Sequence, residues 1–285
     1  MHILVNGVRL FVDVANAGLV PDGDRMREKP TLLMLHGRPG FDHVAFKDAF
    51  STLSDVAQVI FYDHGQRAQR GKRFLDVQPR SVGDDVKGLC DALGVVKPIV
   101  CGLSFGGFVT QSYATRYPDP PGKRILLSTA AKIDFPTGVE TFTRIGGPEI
   151  GALAESYLTN PTATGHALYR QHCVPFYRHR RDRPAEPMRA IIKTEVTLHW
   201  RNELGRFDFR DDLAKVRCPV LMVGGEHDPI VPISLAEATA RSLPSHLVHF
   251  ERLANCGHDI HGDDPDMVFS LIREFIVDGP IVAAA

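Results

Sequence analysis

The chain has 285 residues, of which 44% are hydrophobic and 24% are charged, and its formal net charge is −1. This composition is typical of a globular protein that is large enough to bury a sizeable core. A net charge so close to zero gives no global field to attract nucleic acid, so we expect no nucleic-acid partner. The sequence contains no apolar run long enough to cross a bilayer, and residues 1–7 lack the basic and apolar pattern of a signal peptide, so we expect none. We therefore expect a cytoplasmic protein without a membrane partner; the sequence does not indicate an oligomeric state.

The five cysteines are odd in number, widely scattered and without a CxxC pair. This pattern favours free thiols in a reducing compartment over a disulfide framework or a zinc site. The cysteines are Cys90, Cys101, Cys173, Cys218 and Cys256.

A β-hairpin is predicted at the N-terminus. Two strand-like stretches, 2–5 and 9–14, flank Asn6-Gly7, which is a strong short-range hairpin signal. This hairpin is expected at the edge of a sheet. Residues 15–30 are polar and carry two glycines and two prolines, which predicts a loop.

Buried strands then alternate with helices along the chain. Short apolar runs predict the strands, and apolar residues at helical spacing predict the helices. Strands are predicted at 31–35, 56–62, 99–103, 123–128, 220–223 and 247–250, and helices at 43–53, 81–94, 108–114, 235–243 and 265–276. The second of these helices is predicted to have Ser81 as its N-cap and to end at Gly94. This order indicates an α/β fold with a mostly parallel sheet covered by helices on both faces.

The regular alternation is interrupted over residues 133–206. Glycines and prolines punctuate helix-like pieces in this segment, and its end is crowded with arginine, histidine and aromatic residues. We interpret 133–206 as an inserted helical cap over the carboxyl edge of the sheet. The core is then formed by residues 1–132 and 207–285.

The stretch Gly102-Leu103-Ser104-Phe105-Gly106 has the pattern G-x-S-x-G between a predicted strand and a predicted helix. A turn this tight strains the backbone at its apex, and the flanking glycines leave room for close approach. This arrangement is typical of a nucleophile elbow, which exposes a serine hydroxyl at the top of a sheet.

A serine hydroxyl needs a base to remove its proton, and that base needs a third group to orient it. Asp228 follows the strand at 220–223, and His258 follows the last predicted strand. The chain order Ser104, Asp228, His258 is the α/β-hydrolase order of nucleophile, acid and base. We predict these three residues as the catalytic triad.

Other residues could fill two of these positions. Asp228 precedes a proline and could be a plain turn residue, in which case Asp134 is the best substitute acid and Glu226 a weaker one. His261 competes with His258 for the role of base. A metal site built from His258, His261, Asp263 and Asp264 lacks zinc-like spacing, so no metal is expected.

An oxyanion hole requires two hydrogen-bond donors. The backbone N–H of Phe105, which follows the nucleophile, supplies one. The second is expected from the loop after the strand at 31–35, and because Pro39 has no N–H, we assign it to the backbone of Arg38.

The substrate pocket is expected to involve Phe41 and Trp200. Several large aromatic residues of the predicted cap and its return could line the pocket or pack the cap against the core. They are Phe176, Tyr177, Trp200, Phe207 and Phe209. The basic run 178–183 could bind an anion or be a solvated face.

Four motifs together resemble the α/β-hydrolase superfamily, and most closely its proline-iminopeptidase-like branch. They are Leu35-His36-Gly37-Arg38-Pro39-Gly40-Phe41-Asp42-His43, Gly102-Leu103-Ser104-Phe105-Gly106-Gly107, Gly225-Glu226-His227-Asp228-Pro229 and Gly257-His258. The resemblance implies a serine hydrolase that uses Ser104, Asp228 and His258 without a cofactor.

The chain departs from that branch at two points. The branch carries a D-x-R-G-x-G-x-S loop after the strand at 56–62, but here Asp63-His64-Gly65-Gln66-Arg67-Ala68-Gln69-Arg70 retains only the first residue. Iminopeptidases also need acidic groups near the cap for the amino group of the substrate. Glu195 and Glu203 are available, but neither matches a family motif.

The predicted function is hydrolysis of a small ester, lactone or amide through an acyl-enzyme. A proline iminopeptidase is the alternative within the superfamily. A non-catalytic receptor with the same fold is the alternative from another class, since fold alone does not determine function. A dehalogenase or an epoxide hydrolase would need a carboxylate at the elbow, where this chain has Ser104.

Overall fold

The computed structural model describes residues 1–63, 82–119, 122–180 and 191–278. The strands are β1 (His2–Val5), β2 (Val8–Ala15), β3 (Leu19–Asp22), β4 (Arg25–Glu28), β5 (Thr31–Leu35), β6 (Gln58–Tyr62), β7 (Ile99–Leu103), β8 (Lys123–Leu127), β9 (Val220–Gly225) and β10 (Val248–Leu253). The helices are α1 (Val44–Ser51), α2 (Val82–Leu93), α3 (Phe105–Arg116), α4 (Phe135–Gly146), α5 (Pro148–Thr159), α6 (Ala163–His172), α7 (Thr194–Leu204), α8 (Arg210–Leu213), α9 (Ile233–Ser242), α10 (Ile260–Asp263) and α11 (Pro265–Asp278).

One eight-stranded sheet organises the molecule, in the order β1-β2-β6-β5-β7-β8-β9-β10. The strands from β6 to β10 pair in parallel, whereas β1 and β2 join the edge in antiparallel pairs. The mostly parallel sheet flanked by helices confirms the predicted fold class. Because the strands from β5 to β10 run in one direction, the loops after their carboxyl ends meet along one edge of the sheet.

The central strands are buried on both faces, which explains why they read as continuous apolar runs rather than as alternating patterns. Leu33 pairs with Val100 and both belong to one hydrophobic cluster, whereas their neighbours Met34 and Cys101 pair in a second cluster. Since successive side chains of a strand point to opposite faces, the sheet separates two cores.

The predicted N-terminal hairpin forms as β1 and β2 around Asn6-Gly7. The prediction of a loop over 15–30 was wrong, because β3 and β4 form a separate two-stranded hairpin there. Their side chains are almost all exposed, so this hairpin has no buried face and leaves no alternating apolar pattern in the sequence. The turn between the two strands places Gly23 at a φ of +65°.

Helices α4 to α7 and a 3-10 turn at Val174–Tyr177 lie between β8 and the short helix α8. The buried residues of α4 to α6 and of the 3-10 turn form a third hydrophobic cluster, whereas the buried apolar residues of α7 belong to one of the two clusters that cover the sheet. The largest members of the third cluster are Phe142, Tyr157, Tyr169 and Tyr177. The helical segment therefore has an independent apolar centre and lies above the carboxyl ends of the strands, where its residues line a cavity with Ser104.

Outside the described residues lie the N-cap predicted at Ser81, most of the loop that begins at Asp63, and residues 181–183 of the basic run. Within the described ranges, none of the helices has the length and apolar character needed to cross a bilayer.

Candidate active site

Ser104 occupies the turn between β7 and α3. Its backbone has φ +52° and ψ −112°, a conformation that non-glycine residues rarely adopt. The Ser104 N–H donates a hydrogen bond of 2.8 Å to the carbonyl oxygen of Leu127 at the end of β8, which holds the strained residue against the sheet. Such strained positions persist where the surrounding structure determines them, and they occur often at functional sites.

The flanking glycines make this turn possible. A Cβ atom on Gly106 would lie 2.0 Å from the carbonyl oxygen of Leu35, and a Cβ atom on Gly102 would lie 2.3 Å from the carbonyl oxygen of Gly106. Both obstacles are backbone atoms that cannot rotate away. Glycine at 102 and 106 therefore lets α3 begin directly against the ends of β5 and β7.

The structure brings Ser104, His258 and Asp228 into one chain of hydrogen bonds. The Oγ of Ser104 lies 2.9 Å from Nε2 of His258, and Nδ1 of His258 lies 2.7 Å from Oδ2 of Asp228. A carboxylate can only accept, so Nδ1–H donates to Asp228 and Nε2 is left to accept the proton of the Ser104 hydroxyl. The imidazole is thereby oriented with its unprotonated nitrogen toward the serine.

Asp228 is fixed by further hydrogen bonds. Its side chain is 1% exposed, and its second oxygen accepts from the backbone N–H groups of Ile230 at 2.7 Å and Val231 at 2.8 Å. The N–H of His227 also donates to the carbonyl oxygen of Cys256, which ties the Asp228 loop to the His258 loop. These bonds set the distance between acid and imidazole through the backbone.

Asp263 supports the loop of His258, whereas its sequence position indicated only a possible metal ligand. Its buried carboxylate accepts from the backbone N–H groups of Gly257, His179 and Arg180 at 2.8 to 3.0 Å. Asp263 thus joins the histidine loop to the end of the helical segment. No sequence signal separates it from its neighbour Asp264, because its role depends on contacts with residues more than 80 positions away.

The alternative acids are placed differently. Asp134 precedes α4, lines the same cavity as Ser104 and accepts a hydrogen bond from the hydroxyl of Thr137. Glu226 lies 3.6 Å from the guanidinium of Arg252. The carboxylate that contacts the imidazole of His258 is that of Asp228.

The alternative base, His261, lies in a different environment. Its ring packs beside Phe46 and Phe50, and its Nδ1 lies 3.1 Å from a carboxylate oxygen of Asp259. Burial lowers the pKa of His261. Burial would raise the pKa of Asp259, but the charges of His261 and Arg178 lower it to about 2, and Arg178 donates to it at 2.6 Å.

The loop predicted to supply an oxyanion donor lies against the elbow. A Cβ atom on Gly37 would be 3.2 Å from the Cβ of Ser104, and Arg38, at φ +56°, lines the cavity together with Phe105. The loop is held from above by α7 and the residue before it. The Thr197 hydroxyl donates to the carbonyl oxygen of Pro39 at 2.8 Å, and the N–H of Lys193 donates to that of Gly40 at 2.8 Å.

A cavity of about 600 Å³ opens beside Ser104 and His258. Most of its wall is apolar, and it includes Phe105, Phe108, Ile133, Phe135, Leu158 and Ile230. Tyr177 closes one side, with its ring perpendicular to that of His258 at a centroid distance of 5.1 Å. Burial raises the pKa of Tyr177, so its hydroxyl remains protonated.

The two aromatic residues predicted for the substrate pocket have different positions. Phe41 lines a second cavity, which shares residues with the first. Trp200 is buried behind Phe105, at a ring-centroid distance of 4.9 Å, and stacks on Phe207. Tyr177 lines both cavities, and its position depends on the fold of the segment between β8 and β9.

In the described parts of the chain, no group of three or more histidine, cysteine, aspartate or glutamate side chains is arranged to hold a metal ion. All five cysteines are buried and free.

The chain matches a known protein family, and this match agrees with the fold described above. The family model for the alpha/beta hydrolase fold matches residues 30–265, and the chain belongs to this family. The recognition of an α/β-hydrolase from sequence is thereby confirmed, and the proline-iminopeptidase branch is one of several to which the chain is similar.

Individual relatives are hydrolases. The proline iminopeptidase PfmaB of Pestalotiopsis fici is 25% identical over 93% of this chain and 98% of its own. The putative carbamate hydrolase RutD of a Caulobacter species is 26% identical over 66% of this chain and 69% of its own. An esterase from Thermogutta terrifontis, solved with malate bound, superposes with a TM-score of 0.70 at 25% identity over 98% of both chains. These similarities support a hydrolase activity.

The glycine at 106 provides a test of the elbow geometry. In Gly106→Ala the new Cβ meets the Leu35 carbonyl at 2.0 Å, so we expect the free energy of unfolding to fall by about 3 kcal/mol in urea titrations. Gly205→Ala is the matched control, because Gly205 has helical φ and its Cβ would make only ordinary contact at 3.4 Å. That control should stay within about 0.5 kcal/mol of wild type. Equal stability of the two variants would contradict the steric account.

The carboxylate of Asp263 provides a second test. In Asp263→Asn the amide nitrogen replaces one acceptor and faces a backbone N–H, so the free energy of unfolding should fall by about 2 to 4 kcal/mol. Asp48→Asn removes the same charge at an exposed site on α1 and should change stability by less than about 0.5 kcal/mol. Urea titration at neutral pH measures both; a loss of the same size in the control would show that charge, and not the three hydrogen bonds, is responsible.

Proposed function

We propose that the protein is a serine hydrolase that cleaves a small carboxylic ester, lactone or amide through an acyl-enzyme on Ser104. The observation that carries the proposal is the hydrogen-bond chain from Ser104 through His258 to Asp228 beside an apolar cavity. Such a chain of hydrogen bonds can activate the Ser104 hydroxyl, and the apolar cavity can shelter the reaction from water.

In the proposed acylation step, the Oγ of Ser104 attacks the substrate carbonyl carbon while Nε2 of His258 takes the hydroxyl proton. Asp228 stabilises the imidazolium that forms and keeps the ring in place. The resulting tetrahedral oxyanion is stabilised by the backbone N–H groups of Phe105 and Arg38. His258 then gives its proton to the leaving group as the bond between that group and the carbonyl carbon breaks.

Deacylation repeats these roles with water. His258 removes a proton from a water molecule, whose oxygen attacks the acyl-enzyme carbonyl. Collapse of the second tetrahedral intermediate breaks the bond to Ser104 Oγ, and His258 returns the proton to the serine. No step needs a cofactor or a metal ion.

We further propose that residues 133–206 act as a cap that determines which substrates enter, over a core formed by 1–132 and 207–285. Support comes from the separate apolar cluster of this segment and from its contribution of Phe135, Leu158 and Tyr177 to the cavity wall. The hydrogen bonds from Lys193 and Thr197 to the loop 36–40 couple this segment to the proposed oxyanion donor Arg38.

The similarity to an iminopeptidase suggests peptide substrates as an alternative. Glu195 is exposed and Glu203 pairs with Arg206, and neither is among the cavity-lining residues that the structure describes. Two arginines, Arg38 and Arg201, line both cavities instead. Asp134 also lines the Ser104 cavity, but there it faces two arginines and accepts a hydrogen bond from Thr137, so we favour esters, lactones and amides without a cationic end.

Substitution of Ser104 tests the proposal. Ser104→Ala removes the nucleophile and should lower kcat for p-nitrophenyl acetate by about a million-fold, because the triad acts as a unit. Asp228→Asn should lower kcat by about ten thousand-fold, since the amide favours the wrong imidazole tautomer. Initial rates of p-nitrophenolate release measure both effects.

A serine outside the site provides the control. Ser242→Ala removes a hydroxyl that donates to the Ala238 carbonyl within α9, and it should leave kcat unchanged. Retention of more than a few per cent of activity by Ser104→Ala would reject the assignment. A panel of esters, lactones and prolyl anilides separates the alternatives: cleavage confined to prolyl anilides would favour the iminopeptidase, and absence of any turnover would favour a receptor.

A further inference from the structure

Arg201 on α7 lies between two cavities. It lines the cavity that contains Ser104 and His258, and it also lines a second cavity of about 410 Å³. Its Nε is buried and has no hydrogen-bond partner among the described residues. Within the same ranges, no aspartate or glutamate forms an ion pair with its guanidinium. The charge of Arg201 is therefore placed at the junction of two cavities without an ion pair in the described ranges; the carboxylate of Asp134 also lines the first cavity, where it accepts a hydrogen bond from Thr137.

The groups around Arg201 do not supply a negative charge. Its guanidinium lies 5.3 Å from the centre of the Tyr157 ring, and Tyr169 and Tyr177 are close enough to interact with its charge. Burial raises the pKa of Tyr169 and of Tyr177, so both phenols stay neutral. Tyr169 and Tyr177 hydrogen-bond each other through their hydroxyls at 3.1 Å. Aromatic faces attract the cation but leave its hydrogen-bond donors without a charged acceptor.

The second cavity has a strongly basic wall. Besides Arg201 it is lined by Arg38, Arg170 and His166, and no acidic side chain is among its lining residues in the described ranges. Burial and the charges of Arg170 and Arg201 lower the pKa of His166, which shows that cations already crowd this wall. An unpaired cation in a partly desolvated site is costly unless a ligand neutralises it. The wall is thus complementary to an anion.

We propose that Arg201 binds a carboxylate of the substrate, so that the preferred substrates are esters or lactones with a free carboxylate remote from the scissile carbonyl. This proposal rests on the proposed function, because it places the reacting carbonyl at Ser104 and the carboxylate toward the second cavity. Arginine suits the role because its planar guanidinium can donate two parallel hydrogen bonds to one carboxylate. Arg38, which faces Phe41 and Tyr177, adds a second positive charge to both cavities.

A matched pair of substrates tests the inference. Monomethyl glutarate carries a terminal carboxylate, and methyl 4-carbamoylbutanoate carries a primary amide of the same shape and length. The measured quantity is the ratio of kcat/KM for the acid substrate to kcat/KM for the amide substrate. Titration of the acid released by ester hydrolysis gives both rates. We expect wild type to favour the acid substrate at least tenfold. Arg201→Met should lower the ratio by about 10- to 150-fold, which is the factor expected for the loss of one hydrogen bond to a charged group.

Two further variants exclude trivial causes. Arg206→Gln removes an exposed arginine that follows α7 and pairs with Glu203, and it should leave the ratio unchanged. Arg201→Lys keeps the charge without the planar fork and should give an intermediate ratio. If Arg201→Met leaves the ratio at its wild-type value, the arginine is structural and the proposal is overturned.

Calorimetric titration of the Ser104→Ala variant with succinate, glutarate and adipate provides a readout that needs no turnover. We expect at least one of these dicarboxylates to bind, and we expect the added substitution Arg201→Met to raise its Kd by at least tenfold. If the neutral ester is hydrolysed but none of the dicarboxylates binds, the carboxylate site is overturned while the hydrolase proposal stands. If a dicarboxylate binds through Arg201 but no ester is hydrolysed, the carboxylate site stands and the hydrolase proposal fails.

Discussion

The close approach of α3 to the ends of β5 and β7 is the constraint on which the rest of this structure depends. Side chains at 102 and 106 would collide with backbone atoms, so only glycine permits the turn that places Ser104 at the edge of the sheet. Once the serine is there, the parallel order of the strands brings the loops of Asp228 and His258 to the same edge. Backbone hydrogen bonds between these loops then set the geometry of the imidazole.

Much of this arrangement could be predicted from local signals. The strands at 31–35 and 99–103 agree with prediction to the residue, because fully buried strands leave uninterrupted apolar runs. The positions of Asp228 and His258 follow from strand ends plus chain order, and the structure places His258 against Ser104 and Asp228 against His258. The hairpin within 15–30 was missed, since its strands bury no face and therefore carry no periodic apolar pattern.

Features created by contacts distant in sequence could not be predicted. In the sequence nothing distinguishes Asp263 from its acidic neighbours. Its role arises because the fold brings the backbone N–H groups of His179 and Arg180 to its carboxylate. Trp200 has the size of a pocket residue, yet it packs behind Phe105. The basic character of the second cavity arises because the loop after β5 and the helices α6 and α7 converge there, and no linear motif contains these segments together.

The most direct test of the account is covalent labelling of the serine. A fluorophosphonate reacts much faster with a hydroxyl that a neighbouring base activates than with an ordinary hydroxyl. We predict one adduct per chain, located at Ser104 by mass spectrometry of peptides, and a large loss of labelling in His258→Ala. A purified and folded protein that takes up no label, or that carries the label on another residue, would contradict the claim that Ser104 and His258 form a working nucleophile and base.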